Sequence, residues 1–494
     1  MFNLLAKKLF RGQVSQKSVP FYITTTLPYV NAEPHIGFAM ELVRADIVAR
    51  YQKRLGREVF FNTGTDEHGQ KIYQKALESG QDVQTYVDSY TTKFKALVPL
   101  LGISSDINFI RTTDKNHIKS AQAFWRLVDQ NGFIYKKQYE TKYCVGCELE
   151  KTDSELENSR CPVHPDKEIE LRAEENYFFK YSAFEGQLLD LYEKNPNLVT
   201  PDFRFNEIKN FVKSGLRDFS ISRLKTKMPW GIEVPGDSDH VMYVWFDALV
   251  NYISAIGWPE DEASFEKWAV LSGGMVQYAG KDNLRPQAGM WQAMLLAAGL
   301  PPSKNIIIDG FINASDGQKM SKSLGNTIGP KELVDEFGVE AVRYYIARHI
   351  NDFEDFDFSV EKMKEAYNAN LANGLGNLVS RVMKMASSNN VTIDTENIAL
   401  PKNNNNLDVY RLNRAIDDIW VLISKADGFI QLEKPFSTIK TDQKKGESQI
   451  QTLLRELYQI ACMLEPFMPT TSAIIKNLIK ENKMPEVSLF VRKD

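Results

Sequence analysis

The feature that most narrows the fold is an alternation of strand-like and helix-like text at both ends of the stretch from residue 20 to residue 308. Residues 21–26 are β-branched and aromatic, which suits a strand. Residues 38–55 carry Met40, Leu42, Val43, Ala45, Ile47, Val48 and Tyr51 at helical spacing, and Gly56 then stops the pattern. Further strands are expected at 59–63, 241–246 and 305–308, with helical text after the last two. This alternation implies an α/β fold with a parallel sheet, interrupted by an inserted piece. The insertion, residues 119–235, is loop-rich and holds three of the four cysteines. Past Ser359 the strand-like text ends. Helical patterns over 361–388, 406–432, 446–465 and 470–482 predict an all-α C-terminal domain.

At 494 residues the chain has room for about three domains. With 43% hydrophobic and 25% charged residues it has the balance of a packed globular protein, which excludes a largely disordered one. No apolar run reaches the length of about 18 residues that a membrane span needs. The net charge of −4 requires any nucleic-acid partner to be met by local basic patches. Residues 1–18 carry Lys7, Lys8, Arg11 and Lys17 with no acid, and Leu4, Leu5, Leu9 and Phe10 can line one helical face. They read either as a basic N-terminal extension or as a mitochondrial transit segment.

The cysteines carry the strongest chemical signal. Cys144-x2-Cys147 and Cys161-x2-His164 form two knuckle-like pairs 13 residues apart. Four such ligands suit a closed tetrahedral zinc site, one ion per chain. With no open position, its role is structural in a subdomain with little core of its own. Cys462, on an amphipathic helical stretch, reads as a small core residue.

A parallel sheet invites a nucleotide, yet the chain has neither a G-x-x-x-x-G-K-[ST] loop nor a complete dinucleotide fingerprint. The first strand instead runs through Leu27-Pro28-Tyr29-Val30-Asn31-Ala32-Glu33-Pro34-His35-Ile36-Gly37 into a helix. Such a turn aims backbone N–H groups and a positive helix end at a phosphate. His35 can donate to a phosphate oxygen there, and Gly37 lets a base approach the backbone. Far along the chain, Lys319-Met320-Ser321-Lys322-Ser323 puts two lysines three apart in a glycine-flanked loop, a cationic clamp for a pyrophosphate leaving group.

At these residues the chain resembles the class I aminoacyl-tRNA synthetases. His35-Ile36-Gly37-Phe38 is similar to their HIGH signature, and residues 319–323 read KMSKS. Within that class it resembles the methionyl-tRNA synthetases. Leu27-Pro28-Tyr29-Val30-Asn31, Thr65-Asp66-Glu67-His68-Gly69, Tyr243-Val244-Trp245-Phe246-Asp247-Ala248, Asn377-Leu378-Val379-Ser380-Arg381 and Pro466-Phe467-Met468-Pro469 match that family's patterns. The resemblance runs from about residue 20 to the C-terminus. It implies a Rossmann-like catalytic domain in two halves, 19–118 and 236–325, split by a connective insertion at 119–235 with the zinc knuckle at 140–175. A stem-contact region at 326–360 and an α-helical anticodon-binding domain at 361–494 would follow.

The implied activity is a ligase that forms methionyl-adenylate from methionine and Mg2+-bound ATP, then transfers the methionyl group to the 3′-terminal adenosine of tRNA-Met. The resemblance assigns ATP binding to His35, Gly37, Asp282, Lys319, Ser321 and Lys322, with His35, Gly37, Lys319 and Lys322 serving the chemistry. It assigns methionine binding to Leu27, Tyr29, Asp66, Trp245, Ala248 and Tyr252, with Asp66 meeting the α-ammonium. Aromatic walls suit a polarizable thioether. It assigns the anticodon to Asn377 and Arg381, which share a helix face, and to Phe436, where the family usually has tryptophan after proline. Two further departures stand out: Phe38 replaces the last histidine of HIGH, and Pro286-Gln287 replaces the usual Phe-His. A tRNA-binding paralogue with weakened catalysis is the alternative function. An intact knuckle points to a bacterial-type cytoplasmic enzyme, with the mitochondrial matrix as the alternative if residues 1–18 are a transit segment. The helices end without an appended module, which suggests a monomer.

Overall fold

Six strands form the central sheet, in the order Asn108–Arg111, Val59–Thr65, Phe21–Thr25, Val276–Gly280, Asn305–Asp309, Val199–Thr200. The first three run parallel, as do Phe21–Thr25 with Val276–Gly280 and Asn305–Asp309 with Val199–Thr200. The order reverses between Phe21–Thr25 and Val276–Gly280. Such a switch point opens a crevice at the carboxyl ends of the strands, where open α/β sheets bind ligands. The computed structural model describes residues 19–151, 155–313, 329–396, 398 and 404–494. Lys319, Ser321 and Lys322 lie outside the described residues, as does the basic segment at 1–18.

The chain divides into two units, residues 1–33, 56–96 and 106–308, and residues 34–55, 97–105 and 309–494. In the first, Tyr22, Phe124, Phe246, Tyr252, Trp291 and Ile306 belong to one buried core. This unit also holds a long antiparallel ribbon. Ile134–Cys144 pairs with Ile169–Phe179 in unbroken register from Ile134 opposite Phe179 to Cys144 opposite Ile169. The ribbon therefore ends at the first cysteine.

One expected strand is corrected. Residues 241–246 are not a strand of the central sheet. Asp237–Met242 pairs antiparallel with Ser222–Leu224 in a separate three-stranded sheet, and Val244–Ala248 is a short helix. The run is apolar on every side, and periodicity cannot separate a buried strand from a buried helix in so short a stretch. The turn at Tyr243 is set by packing. Strand Val276–Gly280 carries no clear pattern in the sequence, because Gln277 interrupts its apolar run.

In the second unit, helix Ile36–Arg54 is buried nearly all round. Its charges are paired: Arg44 meets Asp309 at 3.1 Å, and Asp46 takes Arg343 and Arg50, each at 2.7 Å. A fully amphipathic stripe was not needed, because these partners satisfy the charges inside. Helices Asn377–Ser388, Leu412–Glu433, Gln443–Leu464 and Pro469–Glu481 form the expected helical domain, with Val379, Met383, Ile416, Leu453 and Ile460 buried among them.

Candidate active site and metal centre

The motif at residues 65–69 ends the Val59–Thr65 strand at the carboxyl edge of the sheet, and each side chain in it has a separate task. Glu67 is fully buried and anchored: Oε1 accepts from Thr65, Thr91 and Arg111 at 2.6, 2.6 and 2.7 Å, and Oε2 accepts from Arg111 at 2.9 Å. His68 Nδ1 lies 2.6 Å from Asp247 Oδ2, and His117 Nε2 lies 2.8 Å from the other oxygen of the same carboxylate. Burial alone would raise the Asp247 pKa, but the two imidazoles outweigh it and hold the carboxyl below its usual range. This buried triad ties the 65–69 segment to helix Val244–Ala248.

Asp66 directly precedes these two anchors. Its backbone is fixed by two hydrogen bonds to the first strand's extension, from Val30 N–H at 3.1 Å and to Pro28 C=O at 3.0 Å. Asp66 is only 8% exposed, and among the described residues its Oδ1 has no hydrogen-bond partner. Burial, then the nearby charges of Asp247 and Glu148, push its pKa well above the ordinary carboxylate value. A buried carboxylate with an unmet acceptor is costly, and a ligand cation relieves that cost.

Three residues of the expected aromatic wall come from the segment that carries Asp247. Trp245 and Ala248 lie on the short helix Val244–Ala248, and Tyr252 on the next one, Asn251–Ser254. Trp245 is partly exposed while Ala248 and Tyr252 are buried. Tyr29 sits in the backbone bridge with Asp66, and Leu27, partly buried, precedes it. Gly69 is needed here. Its φ is +115°, and a Cβ would stand 2.3 Å from the Tyr29 hydroxyl oxygen. Gln287, in place of the family's histidine, donates to the Tyr252 hydroxyl at 2.7 Å and accepts from Gln277 at 2.7 Å. Ser303 in turn donates to Gln277 at 2.5 Å. The substitution is thus absorbed into a closed buried network. Asp282 is exposed just after strand Val276–Gly280, at the same carboxyl edge.

His35 and Gly37 belong to the second unit. His35 is the exposed N-cap of helix Ile36–Arg54, and its Nδ1 accepts from Gly37 N–H at 3.1 Å. In the neutral ring this acceptor role puts the proton on Nε2, the donor a phosphate would need. A Cβ at Gly37 would lie 3.0 Å from the His35 ring. Phe38 is buried and offers nothing to a ligand. On the helical domain Asn377 is exposed, Arg381 is paired with Asp427, and Phe436 is 47% exposed at the start of helix Pro435–Thr441.

The four metal-ligand candidates converge. Cys144, Cys147, Cys161 and His164 place their ligand atoms within 4.8 Å of one another. Cys147 Sγ lies 3.4 Å from Cys161 Sγ and 3.2 Å from His164 Nδ1, and Cys144 Sγ lies 4.0 Å from the same nitrogen. A zinc tetrahedron with bonds of about 2.0–2.3 Å has edges of about 3.3–3.8 Å; the Cys147 contacts stand close to that spacing and Cys144 slightly outside it, and three thiols with one imidazole are a donor set that suits that ion. Gly146 makes room, since a Cβ would come within 2.4 Å of the His164 ring. Residues missed by the sequence reading also emerge. Arg223 is buried with its guanidinium 4.4 Å from the Tyr243 ring, and Glu148 accepts from Tyr29.

A parallel sheet with this switch point, and a helical domain following it, are the architecture of a class I aminoacyl-tRNA synthetase. The family of class I (M) tRNA synthetases matches residues 21–164 and 146–383, and the anticodon-binding domain of methionyl-tRNA ligase matches residues 383–488. The chain belongs to the methionyl-tRNA synthetase family. It is 40% identical over 484 residues to the methionine–tRNA ligase of Nostoc sp., covering 94% of this chain and 90% of that protein. It is 39% identical over 470 residues to that of Rickettsia bellii, covering 92% and 91%. Its structure is similar to Mycobacterium tuberculosis methionyl-tRNA synthetase in complex with methionyl-adenylate, with a TM-score of 0.87, 31% identity and coverage of 96% of this chain and 100% of the other. The free form of the same enzyme gives a TM-score of 0.81 at 27% identity, covering 96% and 98%. Among the described residues, no helix is long and apolar enough to cross a membrane.

Proposed function

We propose that the chain activates methionine with ATP and transfers the methionyl group to tRNA-Met. The observation that carries this reading is Asp66, a buried carboxylate with an unmet oxygen at the carboxyl edge of the sheet. The methionine α-ammonium supplies the missing charge. Trp245, Ala248, Tyr252, Tyr29 and Leu27 receive the thioether side chain, where ring contacts favour a polarizable sulfur. With the ammonium held, the substrate carboxylate attacks the ATP α-phosphorus in line, the Pα–O bond to pyrophosphate breaks, and methionyl-adenylate forms.

No protein nucleophile is needed; holding the reactants and stabilising the developing charge carry the step. Asp282 accepts from the ATP ribose. His35 donates to a phosphate oxygen from Nε2 while Gly37 keeps its ring seated. Lys319, Ser321 and Lys322 meet the leaving pyrophosphate. Magnesium would enter with ATP and would neutralise part of the phosphate charge. A ribose hydroxyl of the tRNA's terminal adenosine then attacks the methionyl carbonyl, loses its proton and forms the ester as AMP leaves, and that tRNA's anticodon is read by Asn377, Arg381 and Phe436, the last by stacking on a base.

Cys144, Cys147, Cys161 and His164 would hold one zinc ion in a closed, structural site. The domain limits follow the family pattern: 1–18 extension, 19–118 and 236–325 catalytic halves, 119–235 insertion, 326–360 stem contact and 361–494 anticodon domain. A cytoplasmic monomer completes the reading. Charging of tRNA-Met with labelled methionine tests it. The product should bear label released by mild alkali, and failure to charge any tRNA would refute the function.

A further inference from the structure

Glu148 directly follows the metal-ligand candidate Cys147, and the geometry of the knuckle delivers it to a place no local pattern announces. Its backbone is left-handed, with φ of 52°, a conformation non-glycine residues seldom adopt. Its carbonyl accepts from the Tyr243 hydroxyl. Its buried carboxylate takes two donors on one oxygen, the Tyr29 hydroxyl at 2.9 Å and Lys71 N–H at 2.9 Å. The Tyr29 hydroxyl is boxed in on another side by Gly69, where no Cβ fits. Tyr29 is therefore held at both ends, by its backbone bridge to Asp66 and by the Glu148 carboxylate at its hydroxyl. A buried acid in a strained backbone persists only where its surroundings over-determine it, and such places cluster at functional sites.

We propose that Glu148 is a positioning residue of the amino-acid pocket, holding Tyr29 in the orientation that receives the substrate side chain. The proposal rests on the reading of Asp66, Tyr29 and Trp245 as the methionine site. Glu148 is buried against Tyr29 and has no task in the chemistry, so its effect falls on methionine affinity.

The test is equilibrium methionine binding to the full-length protein, followed by tryptophan fluorescence, with zinc content measured in parallel. Glu148→Ala should weaken binding about tenfold, as expected for one lost bond to a charged acceptor. KM for methionine should rise by a like factor, with kcat within about threefold of wild type. Glu148→Gln should recover most of the affinity, because its amide oxygen accepts the same two bonds. Tyr29→Phe should lose a similar amount, and the double variant Glu148→Ala with Tyr29→Phe should be no weaker than the worse single one. Wild-type affinity in Glu148→Ala, or additive losses in the double variant, would overturn the proposal. If Glu148→Ala loses its zinc or fails to fold, Tyr29→Phe decides: undiminished affinity there overturns it as well. A wild-type protein that binds no methionine would instead defeat the pocket reading itself.

Discussion

Asp66→Asn changes one charge at almost constant volume, and its two effects have opposite signs. In the folded chain, burial and the charges of Asp247 and Glu148 raise the Asp66 pKa well above its ordinary value. Such a carboxyl contributes stability that is intact below the unfolded pKa and is lost as pH rises through the folded one. Asparagine does not titrate, so the variant escapes that loss. Its melting temperature should gain on wild type as pH is raised from about 4, where the free carboxyl ionises. Methionine binding moves the other way. Removing one partner of a buried, hydrogen-bonded charge pair costs about 3–4 kcal/mol, which is roughly a hundred- to thousandfold in affinity. Calorimetric titration with methionine and thermal melts across pH measure both effects on the same samples. A variant that binds methionine within about threefold of wild type refutes the assignment of the unmet oxygen to the substrate ammonium, and one whose melting temperature does not gain on wild type as pH rises refutes the raised pKa.

Other expectations concern separate parts of the chain. Cys161→Ala removes one of four converging donors, and elemental analysis should find its zinc lost; metal retained at one ion per chain would break the assignment. Gln287→Ala removes the donor to the Tyr252 hydroxyl and strands the Gln277 amide, at a cost of about 1–3 kcal/mol for a buried group left unpaired, so KM for methionine should rise about tenfold or more. An unchanged KM would show that Gln287 only fills space. Arg381→Ala should raise KM for tRNA while adenylate formation is untouched. Its pair with Asp427 is about a third exposed on each side, so the melting temperature should barely move, since such pairs are worth less than about 1 kcal/mol. Equal changes in both steps would remove its role in tRNA reading.

Local chemistry was legible in the sequence where a few neighbouring residues carry the whole signal. The Phe21–Thr25 strand is written in its β-branched residues, and helix Ile36–Arg54 in its spacing. The four metal-ligand candidates were legible because two short pairs specify the donor set, and the antiparallel ribbon then closes it. Long-range pairing was not. Asp247 lies 179 residues from His68 and 130 from His117, and no pattern in either neighbourhood names the other. Glu148 and Tyr29 are 119 residues apart, and their bond depends on the left-handed turn after Cys147. Strand Val276–Gly280 escaped because Gln277, polar in sequence, is fully buried among Gln287 and Ser303. The misreading of 241–246 has the same root. An apolar run buried on every side takes its conformation from what packs around it.

The central claim is that the pocket around Asp66 selects methionine for activation by ATP. ATP–pyrophosphate exchange on the purified protein, with methionine set against the other proteinogenic amino acids, tests it most directly. Exchange that depends on methionine, and that is lost in Asp66→Asn, is the predicted result; exchange driven by another amino acid, or none with any, would contradict it.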